Sequence, residues 1–213
     1  MHIYPKRIER IKNVVASRQH DLTVVLENVH DPHNIGAVLR SCDSVGISEI
    51  YVIYTDPLLM QRGLDIGITS ASGALQWIKI HYFTDLSEAF NAIKFKYDHV
   101  FGTVIKEDSK DLYDLNLSDS AALLFGNEHS GISEEAQTYI DSNFVIPQHG
   151  FVQSLNISVA CAVTLYEAQR QRLSKNKYNR EFGSDPQDAL LNEHYLEVHR
   201  NKKLVKAEKR VYL

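Results

Sequence analysis

Short apolar runs rich in β-branched and aromatic residues alternate with helix-length segments from residue 22 to residue 147, and this alternation narrows the fold more than any other feature of the chain. LTVVLE (22–27), ISEIYVIY (47–54), LQWIKIHYF (75–83), DHVFGTVI (98–105), AALLFG (121–126) and NFVIP (143–147) each read as strands. Between them, Asn34 opens a helix that runs to Val45 and is closed by Gly46, residues 85–96 read as a second helix, and 133–140 as a short third. A turn at Asp31-Pro32 follows the first strand, and a glycine-containing loop follows the second. Strands alternating with helices predict an α/β fold whose mainly parallel sheet is covered on both faces.

The helix expected over 155–168, LNISVACAVTLYEA, has almost no polar face. A helix apolar nearly all round is buried on more than one side. In a chain of 213 residues a second protomer is a natural cover, so a homodimer is expected. The amphipathic segment at the start places Ile8, Ile11, Val14 and Val15 near one helical face, and a further helix is expected over 186–210 after a break near Gly183–Pro186. The organisation reads as a basic N-terminal helix (1–20), an α/β domain (21–168) and a basic helical extension (169–213).

The formal net charge of −4 argues against a nucleic-acid partner until its distribution is considered. Residues 1–20 hold five Lys/Arg against one Glu, and residues 169–213 hold eleven against six acidic residues. The stretch between them carries seven basic and twenty acidic residues. An acidic body with basic ends suits a polyanion gripped by those ends, with Lys6, Arg7, Arg10 and Lys12 as candidate contacts. Solvated charged faces would read the same way. No apolar run reaches membrane-spanning length and no secretory signal is visible, so a cytoplasmic protein with no membrane partner is expected. Cys42 and Cys161 sit among apolar residues without CxxC spacing and read as buried thiols in a reducing compartment.

The sequence lacks GxGxxG after its first strand, GxxxxGK[ST], GxSxG and HExxH, which removes the support for redox-cofactor, P-loop, esterase and zincin readings. His30, His33 and Asp31 are close together, but nothing at ligand spacing completes a metal set. Three segments remain. In LENVHDPHNIGAVLRSCDSVGI (26–47) a strand turns into a helix beginning at Asn34 and carrying Arg40; Asn34 could be a helix cap and Arg40 a surface cation. In LLFGNEHSGIS (123–133) a buried strand runs into Gly126-Asn127-Glu128, the place where open α/β sheets bind ligands, although a plain turn would serve. In IPQHGFVQSLNISVACAV (146–163), Ser154 and Asn156 precede the apolar helix, and Ser154 could be its N-cap.

In this order the three segments closely resemble the SpoU family of RNA ribose 2'-O-methyltransferases. ENVHDPHNIGAVLRSCDSVG looks like the TrmH-type members, which methylate guanosine-18 in the D-loop of tRNA. The resemblance spans roughly residues 5–170. It implies a SPOUT-type deep trefoil knot, S-adenosyl-L-methionine as methyl donor, and tRNA, or else rRNA or another tRNA position, as substrate. By position it implies catalytic roles for Asn34, Arg40, Glu128, Ser154 and Asn156, and a cofactor held largely by backbone near Thr103, Gly126, Ile146 and Leu155. Guanidinium normally stays protonated, so Arg40 is better suited to clamping a phosphate and stabilising charge on the 2'-oxygen than to acting as a base. Glu128 is expected to fix Arg40 through an ion pair, and no metal is expected because a sulfonium is already the electrophile. A catalytically silent RNA-binding or ribosome-assembly protein of the same fold, and a small-nucleotide binder, are the competing readings.

Overall fold

The computed structural model describes residues 4–200. Its centre is a seven-stranded sheet built from β1 (Leu22–Glu27), β2 (Glu49–Ile53), β3 (Lys79–Phe83), β4 (His99–Thr103), β5 (Lys110–Asp111), β6 (Ala121–Phe125) and β7 (Ser142–Val145), in the order β3-β2-β1-β6-β4-β7-β5. Every pairing between these strands is parallel. Position in the sheet explains the character of each run. Central β1 and β6 are buried along their whole length and read as continuous apolar stretches, whereas edge strand β3 is buried only at Ile80.

Side chains alternate between two cores because successive residues of a strand point to opposite faces. Val24, Leu26, Leu123 and Phe125 join one core with Ile35, Val38 and Leu39 of α2 (Pro32–Ser44) and Cys161, Leu165 and Ala168 of α7 (Ile157–Ser174). Val25, Ala122 and Leu124 join the other with Leu86, Ala89, Phe90 and Ile93 of α5 (Leu86–Lys96). Helices therefore cover both faces. Cys42 and Cys161 are both free and fully buried, and desolvation pushes the Cys42 thiol well above its ordinary pKa.

Several expected boundaries move. Helix α2 starts at Pro32, capped by the Asp31 carboxylate accepting from the His33 N–H at 2.8 Å, so Asn34 lies inside the first turn rather than opening the helix. The cap of α7 is Asn156, not Ser154; its Oδ1 accepts from the Ser158 N–H at 2.8 Å. That helix runs on to Ser174. The loop after β2 holds two short helices, α3 (Pro57–Arg62) and α4 (Ile68–Ala71). Residues 75–78 turn rather than extend, because the chain reverses through left-handed Ser72 and Gly73 (φ 48° and 86°). Gly36 and Gly67 let α4 lie directly on α2: a Cβ on Gly36 would overlap the Gly67 carbonyl. Helix α6 (Glu134–Gln137) is a single turn.

Helix α1 (Pro5–Ala16) packs against α8 (Gln187–Arg200) through Ile11, Val15 and Tyr195. The part of the helix expected beyond 200 lies outside the described residues. Many of the terminal cations are structural. Arg172 is fully buried and donates to Asp21, Gln19 and the carbonyls of Leu117 and Asp119. Arg18 pairs with Asp43 at 2.7 Å, and Arg180 and His20 converge on buried Asp188. Among the described residues these cations thus act as an internal clamp that fastens the segments around Arg18 and Arg172–Asp188 to the α/β body and to each other.

Candidate active site

The three segments singled out in the sequence meet beyond the carboxyl ends of β1 and β6. Glu27, last residue of β1, is a fully buried carboxylate that accepts from the N–H of Ser133 at 2.9 Å and also from its hydroxyl. Ser133 in turn caps α6. Asn28 follows with φ 51°, and its Oδ1 accepts from the N–H groups of Thr55 and Asp56 at 2.9 and 3.0 Å. Its carbonyl accepts from Asn127 Nδ2 at 2.8 Å. The loop carbonyls of Val29 and His30 are held by the Tyr54 hydroxyl (3.2 Å) and Arg62 Nη2 (2.7 Å). Sequence reasoning missed Glu27, Asn28, Tyr54, Arg62 and Ser133. The available signal was a carboxylate closing a strand that is otherwise apolar.

On this frame Glu128 accepts from Asn34 Nδ2 at 2.9 Å and from the His30 N–H at 3.2 Å. Asn34 Oδ1 accepts from Asn156 Nδ2 at 3.2 Å, and the Asn156 carbonyl oxygen caps α7. One relay thus joins residues from all three segments. Burial raises the Glu128 pKa, but hydrogen bonds from Asn34 and from the backbone N–H groups of Glu128, His30 and Asp31 outweigh it, so the carboxyl titrates below the ordinary glutamate value. The loop carrying it is closed by an antiparallel bridge between Asn127 and Gly131. It folds back so closely that a Cβ on Gly126 would overlap the Gly131 carbonyl.

Arg40 stands apart from this relay. It is exposed, and its guanidinium makes no hydrogen bond or ion pair with the described residues, so the expected Glu128–Arg40 pair is absent. The reason is helical geometry. Six residues beyond Asn34, Arg40 lies roughly 9 Å along α2 and about a third of a turn round it, while both Glu128 oxygens face Asn34 and His30. Arg40 shares its face of α2 with Ser44, whose hydroxyl lies 3.4 Å from that of Tyr166 on α7. Ser154 is exposed in the loop before α7.

Thr103, Gly126 and Ile146 sit at or just past the carboxyl ends of β4, β6 and β7, neighbours in the sheet, and Leu155 precedes the α7 cap. Thr103 directs its hydroxyl to the Leu124 carbonyl (3.3 Å) and Ile146 packs on the core, so what these segments offer a ligand is mainly backbone. Backbone amides and carbonyls at these strand ends could hold a nucleoside-type cofactor. Among the described residues, no three His, Cys, Asp or Glu side chains are grouped to hold a metal, and no helix is long and apolar enough to cross a membrane. Lys6, Arg10 and Lys12 are exposed on α1 and Arg7 is half-buried; Lys12 rests over the Phe182 ring.

Comparison with known proteins agrees with this architecture. The tRNA (guanosine(18)-2'-O)-methyltransferase of Thermus thermophilus is 43% identical over 174 residues, covering 82% of this chain and 87% of that protein. A crystal structure of the Aquifex aeolicus TrmH/SpoU tRNA modifying enzyme superposes with a TM-score of 0.79 at 31% identity, covering 90% of this chain and 96% of the other. The SpoU methyltransferase AviRb of Streptomyces viridochromogenes, solved in complex with the cofactor AdoMet, gives a TM-score of 0.63 at 26% identity, covering 73% of this chain and 62% of that one. With residues 21–166 matching the profile of the SpoU rRNA methylase family as well, the chain belongs to that family.

Proposed function

We propose that this protein transfers a methyl group from S-adenosyl-L-methionine to a ribose 2'-hydroxyl of tRNA, at guanosine-18 of the D-loop. The observation that carries the reading is the Glu128–Asn34–Asn156 relay, which unites the three segments at the ligand-binding end of a parallel sheet. Residues near Thr103, Gly126, Ile146 and Leu155 hold the cofactor, which supplies an electrophilic methyl group when bound. The relay fixes the rims of the ribose pocket, to which Ser154 adds an exposed hydroxyl. Arg40, free of internal partners, clamps the target phosphate and stabilises negative charge developing on the 2'-oxygen. Lys6, Arg7, Arg10 and Lys12 contribute phosphate contacts. Membership of the family also supports a deep trefoil knot around the β6-β4-β7 strands and a cytoplasmic location.

A homodimer belongs to the same reading. Val159, Tyr166 and Leu173 form an exposed stripe along α7, with half-buried Ala162 and Val163 between them. A second copy covering the stripe would bring Arg40, beside Tyr166 and Ser44, to the rim of the contact. Light scattering should give twice the chain mass, and Tyr166→Glu should give monomers; a wild-type monomer at micromolar concentration overturns the dimer. The reaction is tested with labelled S-adenosyl-L-methionine and, separately, unfractionated tRNA and rRNA, followed by mapping of the modified ribose. Label at guanosine-18 of tRNA is expected. Label in rRNA alone would move the substrate, and binding of either RNA without transfer would make the protein a silent member of the family.

A further inference from the structure

The proposed reaction leaves one requirement unfilled: the 2'-hydroxyl has to lose a proton as its oxygen attacks the methyl carbon. The groups already placed at the site are poor acceptors. Arg40 carries a guanidinium, which stays protonated. Glu128 uses one oxygen on Asn34 and the other on the His30 N–H, and it titrates below the ordinary glutamate value. Both oxygens of Glu27 are taken by Ser133. Three histidines remain around the rim, His30, His33 and His129, all of them exposed. Imidazole is the side chain best suited to removing a proton near neutral pH. Of these three rings, among the described residues, only that of His33 is held: its Nδ1 lies 3.1 Å from the Ser70 hydroxyl of α4. The contact is built into the fold. The Gly67 N–H donates to the Pro32 carbonyl at 2.7 Å, and a Cβ on Gly67 would lie 2.9 Å from the His33 Cα, so α4 is seated against the first turn of α2. The tautomer that donates Nδ1–H to Ser70 has Nε2 as its basic nitrogen, and Nε2 has no partner among the described residues. The charged groups nearby are turned elsewhere. Asp31 accepts from the His33 backbone N–H, Glu128 from Asn34 and His30, and Arg62 donates to the His30 carbonyl, while Asp65 is exposed in the loop before α4.

We propose that His33 is the general base of the methyl transfer, its Nε2 removing the proton of the ribose 2'-hydroxyl. His33 immediately precedes Asn34, the middle member of the relay, and so stands at the edge of the ribose pocket. Seven residues on, about two turns, Arg40 occupies the same face of α2 about 10 Å along the axis. Half-buried Ala37 lies between them. Base and cation therefore sit at the two ends of one exposed strip, with a single methyl group as its floor. A ribose laid along the strip offers its 2'-hydroxyl to His33 and its adjoining phosphate to Arg40. In the step, Nε2 takes the proton while the oxygen forms its bond to the methyl carbon, and the pair of the broken carbon–sulfur bond stays on sulfur. One positive charge is lost from the sulfonium and one appears on the imidazolium, which then returns its proton to water. Ser70 is a positioning residue that keeps Nε2 turned outward.

The proposal rests on RNA methylation being the activity, so wild type is assayed first; no transfer to either tRNA or rRNA would end the functional reading and the base with it. Once transfer is seen, His33→Asn decides the base, because it keeps a partner for Ser70 but has no basic nitrogen. Single-turnover methylation at saturating tRNA and cofactor should fall by at least ~10²-fold. Cofactor affinity, tRNA affinity and thermal midpoint should stay at their wild-type values. The acid limb of the rate–pH profile, present in wild type, should disappear, and added imidazole should restore part of the rate to His33→Ala. A readout independent of turnover comes from magnetic resonance of protein carrying isotope-labelled histidine. The His33 ring, assigned by its absence from His33→Asn, should hold the Nδ1–H tautomer, and Ser70→Ala should remove that preference. A near-normal rate or an unchanged acid limb in His33→Asn, or a wild-type ring in the Nε2–H tautomer, would overturn the proposal. A slower His33→Asn whose tRNA affinity falls equally, with no rescue of His33→Ala by imidazole, would make His33 an RNA contact and overturn it too.

Discussion

The two ends of the same sheet each carry a carboxylate cluster, and they are built in opposite ways. At the amino end Glu49 is surrounded by Lys96 Nζ (2.6 Å), the Tyr97 hydroxyl (2.7 Å), His81 Nε2 (3.2 Å) and the Tyr51 hydroxyl (3.4 Å). Burial would raise its pKa, but His81, Lys96 and Tyr97 outweigh burial and hold it far below the usual carboxylate range. Burial and the Glu49 charge push both tyrosines well above theirs. At the carboxyl end Glu128 faces an amide and backbone N–H groups, and the one cation on the adjoining face of α2, Arg40, is left free. By residue type the first cluster looks more like an enzyme site than the second. Yet in the first cluster the cations are already paired with the carboxylate, whereas the second spends its bonds on orientation and leaves its cation without an internal partner. The contrast teaches that unspent bonding capacity, not density of titratable groups, marks the site.

The largest effect should separate the two ends as stability against activity. Glu49→Ala strands Lys96 and His81 in a largely buried setting and should remove about 3 kcal/mol of stability, read from urea unfolding, with turnover per folded molecule unchanged. A parallel loss of turnover would join the two clusters functionally. The pH dependence has a defined sign. The folded pKa of Glu49 is depressed, so its contribution is complete above the ordinary value of 4.5 and is lost as pH falls below it towards the folded value. Wild type should therefore destabilise steeply below that pH, and Glu49→Gln should flatten the slope.

At the other end, Arg40→Lys keeps the charge but loses the planar fork. Turnover at saturating RNA and cofactor should fall by at least ~10²-fold, with cofactor affinity, measured by calorimetry, barely altered. A near-normal single-turnover rate would remove Arg40 from the chemistry and leave it a surface cation. Glu128→Gln should act more weakly, by about tenfold on turnover, because a charge-assisted acceptor becomes a neutral one whose amide faces the His30 N–H. Thermal midpoint should hardly move, in contrast to Glu49.

Much of this contrast was legible in the sequence at one end and none of it at the other. The alternation of apolar runs specified a parallel sheet because β1 and β6 are buried on both faces, and Asn34, Glu128 and Asn156 stood out by their neighbours in three short segments. The amino-end cluster draws Glu49, Tyr51, His81, Lys96 and Tyr97 from three separate elements, and no local spacing joins them. The same limit explains the error over Arg40. Sequence places Glu128 and Arg40 in the same neighbourhood, but which way a carboxylate points is decided by the turn through Asn28 and the backbone N–H groups of the His30 loop. Asp56-Pro57 before α3 is a readable helix start: the Asp56 carboxylate caps the helix and Pro57 opens it. The internal use of Arg18, Arg172 and Arg180 was hidden because charge counts do not tell inward from outward.

The smallest effect tests the relay itself. Asn156 does two things with one amide: its oxygen caps α7 at the Ser158 N–H, and its nitrogen donates to Asn34 Oδ1 at 3.2 Å. Asn156→Asp keeps an equally good cap and places its charge at a helix N-terminus, so stability should stay within about 0.5 kcal/mol of wild type. The donor is lost, however, and Asn34 then has acceptors on both sides. Turning its amide over would present its oxygen to Glu128, which now accepts from its nitrogen at 2.9 Å. Neither orientation satisfies both neighbours, and Asn34 loses its fixed position. Turnover should fall about fivefold, the worth of one net hydrogen bond of roughly 1 kcal/mol. Asn156→Ala should lose the same activity and also about 1 kcal/mol of stability through the missing cap. Undiminished turnover in Asn156→Asp would make Asn156 a helix cap only and shorten the relay to Glu128 and Asn34, whereas equal melting of the two variants would show that the cap adds nothing to stability.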